Sequence, residues 1–230
     1  MALLVLILAV LFALSPLASD GFNGFTPAQF PVVNEDWPIQ PAGWAFSIWG
    51  VIYLWLIAGC VVGVWRARHA PDWAAMRPAL ALSLGVGVFW IAAANRSPPL
   101  ATAMIVVMAG AAVAALWRTG RTDAVWQRAP VGFYAGWLTA ATGVAIGVLL
   151  GGYGVLSPQA AALVMLPLIL IAALIVQRRR PDALTYPLAV GWALVGIAAD
   201  NLRGGSTPVA LLALAGIAVL VGAALRRRGG

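Results

Sequence analysis

The sequence predicts an all-α, polytopic transmembrane helix bundle of about eight spans, with the N- and C-termini both cytoplasmic. Three observations predict it. Hydrophobic residues make up 63% of the 230-residue chain and charged residues only 9%, too few to cover a water-exposed surface, which ordinarily carries about 25%. Eight runs contain no Asp, Glu, Lys, Arg or His, and most approach the roughly 20 apolar residues that one crossing requires. The linkers between the runs alternate between arginine-rich and arginine-poor. A membrane β-barrel would show alternating polarity over short strands. These runs are apolar all round, and a backbone in lipid that satisfies its own polar groups within one segment is a helix.

The first run is Leu3–Ala18. Followed by Ala18-Ser19-Asp20, it also resembles a signal peptide with a small-residue cleavage site, although the start Met1-Ala2-Leu3 lacks a basic n-region. Cleavage would leave seven spans and an outside N-terminus. The linker 20–43 carries Pro27, Pro31, Pro38 and Pro41, which oppose a helix. With Phe22, Phe25, Phe30 and Trp37 it reads either as an amphipathic lid in the outer interface or as a flexible loop whose aromatics rest on headgroups. The next runs are Trp44–Trp65, Ala79–Ala94 (ended by Asn95 and Arg96), Leu100–Trp117 and Val131–Leu150. Three more follow: Ala160–Val176, Ala183–Ala199 and Pro208–Leu225. Asp200 and Arg203, just beyond the seventh, have the spacing of a pair on one helix face. Gly59-xxx-Gly63, Gly132-xxx-Gly136 and Gly143-xxx-Gly147 permit close helix approach, either within the chain or in a homodimer.

All 14 basic residues are arginine, and 12 of them fall in alternate linkers: 66, 68 and 77; 118, 121 and 128; 178 to 180; and 226 to 228. The positive-inside rule places those linkers in the cytoplasm, which implies a multi-pass protein of the cell (inner) membrane. The net charge of +7 is distributed in these small groups, not gathered into the single stripe that nucleic-acid binding needs. Catalytic equipment is sparse. The one histidine, His69, sits in a cytoplasmic loop beside Arg66 and Arg68, so no histidine metal cluster can form. Cys60 reads as a small packing residue. No span holds paired carboxylates, and no phosphate-binding glycine loop occurs. No enzymatic activity, metal or cofactor is expected, and the lack of deep ionisable groups opposes proton-coupled transport.

Aromatic surface is what the chain has in excess, with 11 tryptophans. Trp44, Trp65, Trp117 and Trp126 lie at span ends, as interfacial belt residues do. Phe46, Trp49 and Tyr53 recur at i, i+3 and i+7 and so share one face of the second span. Trp90 and Trp137 lie within spans, where an indole N–H needs a partner. Rings converging there make either a flat apolar pocket for a planar hydrophobic ligand or a filled core. Asn95–Arg96 and Asp200–Arg203 either cap their helices or rim such a pocket.

The stretch Trp37-Pro38-Ile39-Gln40-Pro41-Ala42-Gly43-Trp44-Ala45-Phe46-Ser47-Ile48-Trp49-Gly50-Val51-Ile52-Tyr53 resembles the start of the second helix in the TspO/MBR family, the tryptophan-rich sensory proteins related to the mitochondrial translocator protein. Pro41, Trp44, Phe46, Trp49 and Tyr53 match its pattern. Trp90 followed by Pro98-Pro99 is similar to the passage from the third helix to the fourth. Tyr134-Ala135-Gly136-Trp137-Leu138-Thr139 is similar to the fifth-helix Tyr-x-x-Trp-x-Ser/Thr. This resemblance covers a five-helix unit, residues 1–150, with outer loop 20–43. Residues 151–230 add three helices, and Tyr186-Pro187-Leu188-Ala189-Val190-Gly191-Trp192 resembles a longer branch. The resemblance implies a site near the outer face, under the first loop, for porphyrins and other tetrapyrroles, sterols or synthetic aromatics. It implies that Trp44, Phe46, Trp49, Tyr53, Trp90, Tyr134 and Trp137 line or support the site, with Pro41 and Asn95 at its rim. Ala145 departs from the family's helix-5 Asn. No forward sterol motif exists, and no intramembrane histidine is available as an axial ligand for haem iron. The expected function is binding and sensing of planar hydrophobic molecules. The alternatives are transport of a lipophilic solute and, less favoured, a tetrapyrrole-modifying enzyme. The expected partners are the lipid bilayer, a hydrophobic small molecule and a second copy of the chain.

Overall fold

Pro71, Pro98 and Pro158 each occupy the first turn of a helix, where the missing N–H is not needed and the fixed φ is already helical. Ser97 and Ser157 cap two of these starts by accepting from the Leu100 and Ala160 amides. The structure, a computed structural model, describes residues 1–19 and 21–226; Asp20, Arg227 and Arg228 lie outside the described residues. Among the described residues there are eight α-helices and no strand. They are α1 Ala2–Leu14, α2 Ile48–Trp65, α3 Pro71–Ala94, α4 Pro98–Trp117, α5 Ala129–Gly152, α6 Pro158–Arg179, α7 Thr185–Asn201 and α8 Thr207–Arg226. A 3-10 turn, Ser15–Ala18, continues α1, and another, Gly43–Ser47, leads into α2. Six helical stretches are long and apolar enough to cross a bilayer. The stretch Ala2–Ala18 is shorter, as is α7 with 17 residues, near the lower limit of about 17.

Most spans lie within a few residues of the charge-free runs. The exception is α3, which begins at Pro71, two turns before the predicted Ala79. Those turns contain Arg77, which the sequence placed in a loop. Its side chain is only 4% exposed and donates to the carbonyls of Gly63, Ala67 and Arg68. Gly63 lies in the last turn of α2 and Ala67 and Arg68 in the turn that follows it, where the helix dipole favours a cation, so the charge is accommodated inside a helix.

The central helix is α5, which contacts α2, α4, α6 and α7. Its glycines mark the closest approaches. A Cβ on Gly136 would stand 2.2 Å from the Tyr186 carbonyl oxygen in α7, and one on Gly143 would stand 2.2 Å from Ile169 in α6. In α2, a Cβ on Gly59 would meet the Trp126 carbonyl and one on Gly63 the Trp73 ring. The small-residue patterns therefore serve packing within one chain.

Hydrogen bonds separate the two ends of the bundle. At the arginine-rich end, Arg180 donates to Leu116 and Thr119 and pairs with Asp182, which also pairs with Arg128. At the other end, residues 21–43 form a lid with one short 3-10 turn, Pro27–Gln29. Phe25, Phe30, Trp37 and Ile39 of this lid are buried, so the aromatics turn into the bundle instead of resting on headgroups. Asp200 and Arg203 form no ion pair. Their link is a backbone bond from the Arg203 amide to the Asp200 carbonyl.

Candidate functional site

A cavity remains where the lid meets α2, α3, α4, α5 and α7. Phe22, Gly24, Phe25, Gln40 and Pro41 close it from the lid side. Phe46 and Trp49 come from the approach to α2 and its first turn, Trp90 from α3, Ile105 from α4 and Ala193 from α7. From α5 come Trp137, Ala141, Val144 and Ala145. The pitch of 3.6 residues per turn brings 137, 141 and 144 onto one face.

The rings meet edge to face, as their quadrupoles favour. Phe22 lies 4.8 Å from Trp90, Phe46 5.9 Å from Trp137 and Trp49 6.1 Å from Trp137, all near-perpendicular. Behind this wall, Tyr53 stacks on Trp49 at 5.3 Å, and Phe12 of α1 sets its edge against both. The Tyr134 hydroxyl lies 2.9 Å from Ser83 Oγ, which donates to the Met108 carbonyl and so joins α3, α4 and α5.

The sequence-predicted residues therefore divide. Phe46, Trp49, Trp90, Trp137 and the rim residue Pro41 border the cavity. Tyr53 and Tyr134 stand one layer back. Asn95 does not border it but donates to the Gly21 carbonyl, tethering the lid. Trp44 lies away from it, 40% exposed and edge-on to Trp192 at 5.2 Å.

Of the two readings of the converging rings, a pocket or a filled core, the geometry lies between them, a small cavity closed over by the first loop. The cavity volume is about 30 Å³, room for one or two waters, whereas a drug-sized ligand occupies several hundred Å³. The lid rings Phe22 and Phe25 fill the space. Sequence reasoning missed both as wall residues, along with Gln40, because their loop has no helical period to assign a face. The Gln40 amide oxygen accepts from the Phe25 amide at 3.0 Å. The adjoining Gly24 has φ 116°, and a Cβ there would lie 2.5 Å from the Gln40 side chain. Only glycine suits that position.

Polar groups are few. Trp90 Nε1 donates to the Ala101 carbonyl at 2.9 Å. Trp137 borders the cavity, and its Nε1 is buried with no hydrogen-bond partner. A buried donor left unpaired costs roughly 1–3 kcal/mol, so one wall residue of the cavity carries an unmet demand for an acceptor.

The three C-terminal helices reach the site through α7. Trp192 Nε1 donates to the Ala45 carbonyl, the Ala42 amide to the Gly196 carbonyl and Asn201 Nδ2 to the Pro38 carbonyl. Residues 38–45 are thus fastened to α7, whereas residues 21–30 are held by Asn95, by Gln40 and by the bond from Gln29 to the Ala94 carbonyl. Among known proteins, the model of one family, described as TSPO-like protein, matches residues 1–226. No curated protein and no solved structure matches.

Proposed function

The chain belongs to the TSPO-like protein family and is a multi-pass membrane protein, and on that premise we propose that it binds and senses planar hydrophobic ligands of the tetrapyrrole class. The observation that carries this reading is an aromatic-walled cavity beneath the lid, one of whose wall residues, Trp137, has a buried N–H without a partner. Indole and phenyl rings supply flat apolar contact, and the Trp137 N–H supplies one directional donor. The closed volume requires that residues 21–30 lift, withdrawing Phe22 and Phe25 and leaving Trp49, Trp90 and Trp137 as a wall for the guest. The segment 38–45, fastened to α7, stays in place as the hinge side. By the positive-inside rule the arginine-rich end faces the cytoplasm, so the lid lies on the outer face of the cell membrane. The chain's own residues offer binding and orientation.

The test is titration of the full chain in detergent with protoporphyrin, followed by porphyrin absorbance. Wild type should saturate. Trp49→Ala should weaken binding, and Trp137→Phe should weaken it about fivefold, the loss of about one hydrogen bond. The same titration curve in wild type and both variants removes the site. Measurement of porphyrin movement across proteoliposomes separates binding from transport.

A further inference from the structure

We propose that the arginine-rich end of the α6–α8 seam seats an anionic diacyl phospholipid, its phosphate held between Arg178 and Arg226 and one acyl chain lying in the groove beside them. The groove has a volume of about 620 Å³ and is bordered by Leu174 and Arg178 of α6 and by Val219, Gly222, Ala223 and Arg226 of α8. Its walls are apolar toward the middle of the helices and carry two guanidinium groups at the end.

The three consecutive arginines of α6 differ in what they touch. Arg180 is buried and paired with Asp182. Arg179 lies over the Trp117 ring, 4.7 Å from its centre. Arg178 is exposed and, like Arg226, has no ion-pair partner among the described residues. Both end their helices, and each helix terminus contributes roughly half a negative charge. Two full positive charges exceed those two halves, so the mouth remains cationic and complements an anionic headgroup.

The occupant is a lipid and not a soluble anion because the apolar floor adjoins the charges. Val219 to Arg226 spans about 10 Å of helix at 1.5 Å per residue, a run of acyl chain that free phosphate lacks. The floor is open at Gly222, where a Cβ would meet nothing within 4 Å. Anionic headgroups of the cytoplasmic leaflet lie at the level of such arginines, and each guanidinium there is worth about fivefold in binding.

The experiment exposes the full chain in mixed micelles to equimolar phosphatidylglycerol and phosphatidylcholine and measures retained lipid by mass spectrometry. Wild type should be enriched in phosphatidylglycerol on the order of tenfold. The exposed-site double variant Arg178→Gln/Arg226→Gln should fall to near parity. Gly222→Phe, which fills the groove and leaves both charges, should also lose enrichment. Arg121→Gln, in another loop at the same end, should keep it, and equal melting temperatures establish that the variants are folded. Millimolar inorganic phosphate should leave wild-type enrichment intact. Absence of enrichment in wild type, its survival in the double variant or in Gly222→Phe, or its loss to inorganic phosphate overturns the proposal.

Discussion

Asp182 shows how one carboxylate organises the arginine-rich end. Its two oxygens accept from Arg180 Nε and Nη2 at 3.0 Å each, and Arg128 Nε lies 3.4 Å away. The hydrogen bond from Arg180, and then the charges of Arg180 and Arg128, hold its pKa below the ordinary carboxylate value despite partial burial. A lowered folded pKa stabilises the fold at pH above the unfolded value of about 3.9, and that stabilisation disappears as pH falls through the folded value. Asp182→Asn should therefore melt lower than wild type at pH 7, with the difference shrinking as pH drops below about 4. A difference independent of pH counts against the ion pairs. Arg180→Gln should cost more, roughly 3 kcal/mol, since it strips the Leu116 and Thr119 carbonyls of a charged donor. In the sequence, Arg178, Arg179 and Arg180 read as one topology signal. The ring under Arg179 and two of the acceptors of Arg180 come from residues 116–119, at the end of α4 and just beyond it, about 60 residues distant and invisible to local pattern.

At the scale of elements, α5 and α7 meet at Gly136. The obstacle to any larger residue is the Tyr186 carbonyl, a backbone atom fixed in its own helix. Gly136→Ala should thus lower stability by about 2–3 kcal/mol through overpacking, visible as a lower melting temperature in detergent. The contrast is Gly191→Ala in α7, where a Cβ meets nothing within 4 Å. It should be neutral or stabilising by about 0.5–1 kcal/mol, the helix cost of glycine. Equal losses in the two variants would mean that the α5–α7 approach is not what Gly136 serves. The Gly-xxx-Gly spacing was legible in the sequence, as were the span ends, because proline, serine and arginine mark them locally. The partner was not. Gly132 and Gly136 face Thr185 and Tyr186 across a turn, a helix and a linker, and nothing in a spacing of four distinguishes that from a second chain. Likewise, the helical period put Phe46, Trp49 and Tyr53 on one face but said nothing of Phe12, which occupies the space behind them.

Across the whole molecule, the lid has two unequal halves, and two asparagines test the difference. Asn201 is buried, donates to the Pro38 and Ile197 carbonyls and accepts from the Ser206 amide. Asn201→Ala orphans buried groups and should cost about 2–3 kcal/mol, measured as a lower melting temperature. Asn95 is exposed and its side chain donates to the Gly21 carbonyl, while the Gln29 side chain donates to the Ala94 carbonyl. The double variant Gln29→Ala/Asn95→Ala should lower melting no more than Asn201→Ala does, since its two bonds are worth about 1 kcal/mol each. Its effect should appear in binding. If ligand enters only when residues 21–30 have lifted, apparent affinity scales with the lifted fraction. Removing two tethers of about 1 kcal/mol each raises that fraction roughly thirtyfold while it is small. The protoporphyrin association rate should rise with it, and hydrogen exchange in residues 21–30 should quicken, while residues 38–45, fastened to α7, stay protected. Faster exchange without faster binding would show that the lid lifts but does not gate the cavity, and the aromatic wall would then be reached by another path or not at all.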